Sequence, residues 1–238
     1  MNKRDKCNSV SVRYNQIQMM ARSVDLNLSF LNSISSSVNI LESSIQFPLL
    51  ECMERRFHFK EIILEYPHPV FQNKRCDLFW NDGTDRCLLE MKYNKGNNNK
   101  KEILKDLVRQ YFTVEKGFCA YFMFCSQSYE STEQNALLDN RDVLNATINH
   151  QRTGDHARIP QFDWLSVDMN NPECTVNLSY KKDKLYEYLS NKYDFIESNQ
   201  KFPEDITFQT KLVCQILPTN DFSLSHYVGV WEILKKYS

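Results

Sequence analysis

Residues 74–93 read KRCDLFWNDGTDRCLLEMKY. Two runs rich in apolar residues, 74–80 and 86–93, flank the cluster Asn81-Asp82-Gly83-Thr84-Asp85, whose residue types favour a chain reversal. The stretch predicts a β-hairpin. Side chains alternate along its second strand, so Leu89, Met91 and Tyr93 share one face while Leu88, Glu90 and Lys92 share the other. With Asp82-Gly83 at the centre of the turn, Asp77 lies opposite Leu88 and diagonal to Glu90. Diagonal neighbours sit about 7–8 Å apart at the backbone, close enough for two carboxylates to converge on one cation. A register slip of one residue would send them to opposite faces.

Two carboxylates and an ammonium group gathered beside apolar strands are unfavourable unless compensated, because the anions repel and burial penalises all three charges. A divalent cation resolves the conflict. Mg2+ takes oxygen ligands and keeps several waters, so Asp77, Glu90 and the Met91 carbonyl would suffice to hold it. Such an ion lowers the pKa of a bound water and neutralises charge on a phosphate. Lys92 would hold the attacking water and stabilise the developing negative charge. These residue types suit metal-assisted phosphodiester hydrolysis.

Working outward, 62–67 reads as a short strand ended by prolines, and Phe47-Pro48-Leu49-Leu50 opens a helix that runs through Cys52, Met53 and Phe57. After the hairpin, 94–100 is a polar loop, and 101–112 predicts a helix with Ile103, Leu104, Leu107 and Val108 on one face. Residues 118–125 are apolar throughout, which fits a central strand covered on both sides. The order is that of an α/β fold with a mixed central sheet flanked by helices. Residues 1–46 carry Ile17, Met20, Val24, Leu28 and Leu31 at helical spacing, with Leu26, Phe30 and Ile34 widening the stripe. They predict an N-terminal helical extension of one or two helices. Residues 47–126 form the core, and 127–238 an α/β part completing the same domain. In that last part, 132–148 and 181–193 read as helices, 150–160 as a polar loop, and 164–180, 206–217 and 226–233 as strands.

The pattern of Asp77, twelve intervening residues, then Glu90-x-Lys92 on the next strand, followed by a helix, resembles the core of the PD-(D/E)XK nuclease superfamily. The resemblance covers about residues 47–126 and implies a restriction-endonuclease-like core. It implies a Mg2+-dependent endodeoxyribonuclease, with Mn2+ able to substitute, acting in restriction, phage defence or repair. It assigns Asp77 and Glu90 to the metal and makes Lys92 the catalytic lysine. Many members carry a further acidic residue in the first core helix, where Glu51 stands, with Glu54 as second choice. Some add a polar residue in the helix after the motif, the position of Arg109 and Gln110. The residue before Asp77 is Cys76, where the family pattern has Pro.

Lys92, Lys95, Lys100, Lys101, Lys105 and Arg109 form a basic cluster in a chain whose formal net charge is -1. With Gln110, they predict a phosphate-contacting rim beside the site, or a solvated face. The nucleic acid expected is DNA, and cutting both strands commonly calls for two active sites and hence a homodimer. The charge balance excludes a protein basic all over. No run approaches the eighteen or so apolar residues of a membrane span, and no apolar run follows the basic start, so a cytoplasmic protein without a secretory leader is expected. None of the eight cysteines forms a CxxC pair, which favours reduced core thiols over disulfides or zinc. His58 and His68 suit packing or turn roles, and His150, Arg152, His156 and Arg158 an exposed loop. Two rival readings stand beside the nuclease. One is a binding or assembly protein that keeps the core without the chemistry. The other is an unrelated α/β protein, in which Asp77 and Glu90 would lie on opposite faces.

Overall fold

The structure, a computed structural model, describes residues 3–34, 43–94, 100–127, 164–179, 186, 190, 193–197, 200–216 and 226–236. Helices α1 (Lys3–Ile34) and α2 (Ser43–Arg56) are followed by strands β1 (Glu61–Pro67), β2 (Arg75–Asn81) and β3 (Arg86–Asn94). Helix α3 (Lys100–Glu115) then crosses over to β4 (Cys119–Gln127), and β5 (Glu173–Ser179), β6 (Asp205–Ile216) and β7 (His226–Lys235) complete the described elements. The seven strands form one mixed sheet in the order β1-β2-β3-β4-β7-β6-β5. β3 and β4 run parallel, as their helical crossover requires, and the other neighbours are antiparallel.

Strand β4 shows how its sequence places it. Ala120, Phe122 and Phe124 point into the core beneath α3, while Tyr121, Met123 and Cys125 point into the core beneath α1 and α2. A strand apolar from Cys119 through Cys125 has no face there to give to water, so it takes the middle of the sheet. On the α3 side, Ile103, Leu104, Leu107, Val108 and Phe112 of the helix pack on Phe208, Tyr227 and Trp231. Tyr186, Tyr193 and Phe195 are buried in that same core.

Helix α1 is an integral layer rather than an extension, because Ile17, Met20, Ala21, Val24 and Leu28 share a core with β3, β4 and β7. The proposed widening of its stripe does not hold: Leu26 and Phe30 are 69% and 60% exposed. Residues two apart on a helix point about 200° from each other, so Leu26 and Phe30 lie opposite Val24 and Leu28.

Helix α2 begins at Ser43, four residues before the expected start at Phe47, and so holds Pro48 in its interior. A proline inside a helix leaves the carbonyl four residues back without its donor. Here Asn27 Nδ2 of α1 donates to the Ser44 carbonyl at 2.9 Å, and Ser23 Oγ donates to the Pro48 carbonyl at 3.2 Å. The defect in α2 thus becomes its fastening to α1.

The expected helix at 132–148 and loop at 150–160 lie outside the described residues, as do most of 181–193. Of the strands expected in 164–180, the structure has β5, preceded by turns. All seven described cysteines are free thiols. Among the described residues no helix is long and apolar enough to cross a membrane.

Candidate functional site

The hairpin loop is longer than a two-residue turn. Asn81 pairs with Arg86 and Phe79 with Leu88, a shift of two residues from the expected register. Asparagine and aspartate side chains build the longer loop. Asn81 Oδ1 accepts from Gly83 N–H at 2.8 Å, Asp82 Oδ1 accepts from Thr84 and Asp85 N–H at 2.8 Å each, and Gly83 takes a φ of 95°. An even shift preserves parity, so Asp77 and Glu90 remain on one face of the sheet, the face that α3 covers.

The β2–β3 ladder stops at Leu78 and Leu89. Beyond it the Asp77 carboxylate takes over a backbone role, its Oδ2 accepting the Met91 N–H at 2.6 Å. Met91 therefore meets Asp77 through its amide. Glu90, 2% exposed, lies within hydrogen-bonding reach of the Asp77 carboxyl group. Two carboxyl groups so placed share a proton or a cation.

Helix α3 supplies the counter-charges. Arg109 bridges Glu90 Oε2 and Asp106 Oδ1, each at 2.9 Å, and Lys92 Nζ lies 3.9 Å from Asp106 Oδ2. Asp77, Glu90, Lys92, Asp106 and Arg109 thus meet between β2, β3 and α3, with the Cys76 thiol and the Tyr193 hydroxyl beside them. Burial pushes Glu90 well above the usual carboxylate range. Arg109 opposes the rise, and Asp77 and Asp106 add to it. Burial likewise raises Asp106, against the pull of Arg109 and Lys92. Burial disfavours the Arg109 charge, yet Glu90 and Asp106 outweigh it and hold the guanidinium firmly protonated.

His68 fixes the backbone behind Arg109. Its Nδ1 accepts the Val70 and Phe71 N–H groups at 3.1 and 3.2 Å, so the proton sits on Nε2, which donates to the Arg109 carbonyl at 3.3 Å. Burial first, and the Arg109 charge second, lower its pKa to about 3. The expected packing and turn role is what the structure gives it. Between pH 6.5 and about 3 the unfolded chain takes up a proton that folded His68 refuses, so stability falls as pH drops through that window. Urea unfolding at pH 7 and pH 5 should show about 2 kcal/mol of acid sensitivity that a His68→Gln variant lacks.

The other expected site residues are placed differently. Glu51 is not among the groups around Glu90. Its side chain is 62% exposed and pairs with Arg55 at 2.9 Å, on a hollow between α1 and α2. One helical turn separates the two, so Glu51 simply finds its nearest cation. Arg109 and Gln110 are not rim residues: the Arg109 guanidinium turns inward to Glu90 and Asp106, and Gln110 is fully buried. Lys105 pairs with Glu102. Lys95 and the side chains of Lys100 and Lys101 lie outside the described residues, as do His150, Arg152, His156 and Arg158.

Asp106 is the residue that sequence reasoning missed. It lies three residues beyond Ile103 and four before Gln110, on the covered face of α3. A carboxylate inside an apolar helical stripe was the available signal.

The donors suit a hard cation. Glu90 Oε1 is buried and makes no hydrogen bond among the described residues, the Cys76 thiol lies near the carboxyl group, and the neighbouring Asp77 offers further carboxylate oxygen. Among the described residues no three His, Cys, Asp or Glu side chains are grouped to cage a metal by themselves. Mg2+ does not need such a cage, since it commonly uses one or two carboxylates and fills its remaining positions with water and phosphate oxygens. No family model, no curated protein and no solved structure matches the chain.

Proposed function

We propose that the chain is a metal-dependent nuclease with a restriction-endonuclease-like core, hydrolysing DNA phosphodiester bonds in restriction, phage defence or repair. One observation carries the reading. The Asp77 and Glu90 carboxyl groups meet on the same face of the sheet as Lys92, and a buried Glu90 oxygen makes no hydrogen bond among the described residues.

Asp77 and Glu90 would hold Mg2+, with Mn2+ able to replace it. When bound, the ion supplies an activated water and charge neutralisation at the phosphate. The residues of the chain do the rest. The Met91 amide orients the Asp77 carboxylate, and Arg109 orients Glu90 through Oε2 while leaving Oε1 unbonded. Lys92, held toward the site by Asp106, presents an ammonium group to the attacking water and to the charge that develops on the phosphate.

The test is nicking of supercoiled DNA with Mg2+ or Mn2+. Wild type should cut, EDTA should stop it, and Asp77→Asn, which keeps an acceptor for the Met91 amide, should be inactive. Equal cutting by wild type and Asp77→Asn would refute the assignment.

A second reading, an inactive nuclease-like binding or assembly protein, is favoured by the Arg109–Glu90 contact, because a guanidinium already offsets the charge a metal would neutralise. It predicts no metal-dependent thermal shift, whereas a metal bound to the folded state raises the melting temperature.

A further inference from the structure

On the face of the sheet that α1 covers, Cys87 of β3 and Cys119 of β4 are direct partners in the parallel ladder, with their thiols close enough to couple electrostatically. We propose that these two form a peroxide-sensitive pair, in which Cys119 is oxidised by a hydroperoxide and Cys87 then closes a disulfide.

Three observations carry the inference. First, the two are ladder partners, and neighbouring strands lie about 4.8 Å apart, inside the roughly 4.4–6.8 Å Cα separation that a disulfide spans. Second, Cys119 is partly exposed and Cys87 fully buried, which gives one sulfur for attack and one for resolution. Third, the guanidinium of Arg13, on α1, donates from Nη1 to Cys119 Sγ at 2.9 Å. Asp85 holds its Nη2, and Asp82 lies 3.9 Å from its Nε. A buried arginine directed at a sulfur is the setting that favours thiolate. The Cys87 hydrogen bond first, and Arg13 after the opposing effect of burial, lower the Cys119 pKa, while Cys87 is pushed up. The exposure of Cys119 and its contact with Arg13 mark it as the nucleophile, and the buried Cys87 as the resolving thiol.

The chemistry balances with one hydroperoxide. The Cys119 thiolate attacks the distal peroxide oxygen and the O–O bond breaks. The leaving alkoxide or hydroxide takes a proton, and Cys119 becomes a sulfenic acid. The Cys87 sulfur then attacks the Cys119 sulfur as its proton leaves, and the S–O bond breaks to release water. Two thiols are oxidised to a disulfide, and one peroxide is reduced to an alcohol (or water) and water.

The experiment treats the full chain with hydrogen peroxide and maps its thiols by mass spectrometry. The expected product is a peptide linked through Cys87 and Cys119, about 2 Da lighter than the two reduced peptides combined. Cys87→Ser should accumulate a dimedone-reactive sulfenic acid at Cys119. Arg13→Gln should slow oxidation about tenfold, and Arg13→Lys, which keeps the charge, should retain most of the rate. A folded wild-type protein in which Cys119 oxidises no faster than the partly exposed Cys52, or in which the linked peptide never forms, overturns the proposal.

Discussion

Lys92→Ala is expected to lower the rate of Mg2+-dependent DNA cleavage about 10²–10³-fold, the usual loss when one donor aimed at developing negative charge is removed. The size of the effect follows from position. Lys92 leaves the same face of β3 as Glu90, two residues along, and its ammonium group is 3.9 Å from Asp106. Metal affinity should change little, because neither proposed carboxylate ligand is touched. Single-turnover cleavage and calorimetric Mg2+ titration, performed on the same variant, separate the two effects. A variant that binds metal like wild type and cuts at the wild-type rate would remove Lys92 from the chemistry.

Arg109→Ala should destabilise the fold by about 3–5 kcal/mol at pH 7–8, because it leaves two buried carboxylates without their shared cation. Arg109 is bonded to both Glu90 and Asp106, which are 2% and 3% exposed. A lysine is a poor substitute, since a single ammonium group cannot fork to two carboxylates as a planar guanidinium does. The cost should shrink on acidification. Both carboxyl groups are already raised above their ordinary values, so in the variant they take up protons as the pH falls toward the carboxylate range, and a neutral carboxyl group needs no counter-ion. Urea denaturation of wild type and variant between pH 8 and pH 5 measures this. A gap that stays constant over that range would show that packing, not charge, is what Arg109 provides.

Much of the frame was legible because it rests on local pattern. The apolar run in β4, the period of α3 and the turn residues 81–85 each follow from side-chain chemistry within a few positions, and the structure has those elements where they were expected. The meeting of Asp77 with Glu90 was legible through parity alone. The true loop is two residues longer than supposed, and the conclusion survives because an even shift leaves every side chain on its own face. What escaped was tertiary. Nothing near Arg109 in the sequence says that its guanidinium turns inward, because its partner Glu90 is nineteen residues away on another element. Glu51 failed for the opposite reason, having a cation one turn along its own helix. The outward face of Leu26 and Phe30 was a matter of helical angle, and strict counting from Val24 would have found it.

The fastening of α1 across β4, β6 and β7 has a practical consequence. Residues 47–126 contain the carboxylates and cations gathered around Glu90, so they invite excision as a minimal catalytic fragment. Cutting the chain there would strip Leu89, Met91, Tyr121 and Met123 of the helix that shields them and leave β4 without β7 along one edge. The expected product is an insoluble peptide, so whatever this site does is inseparable from α1 and β7.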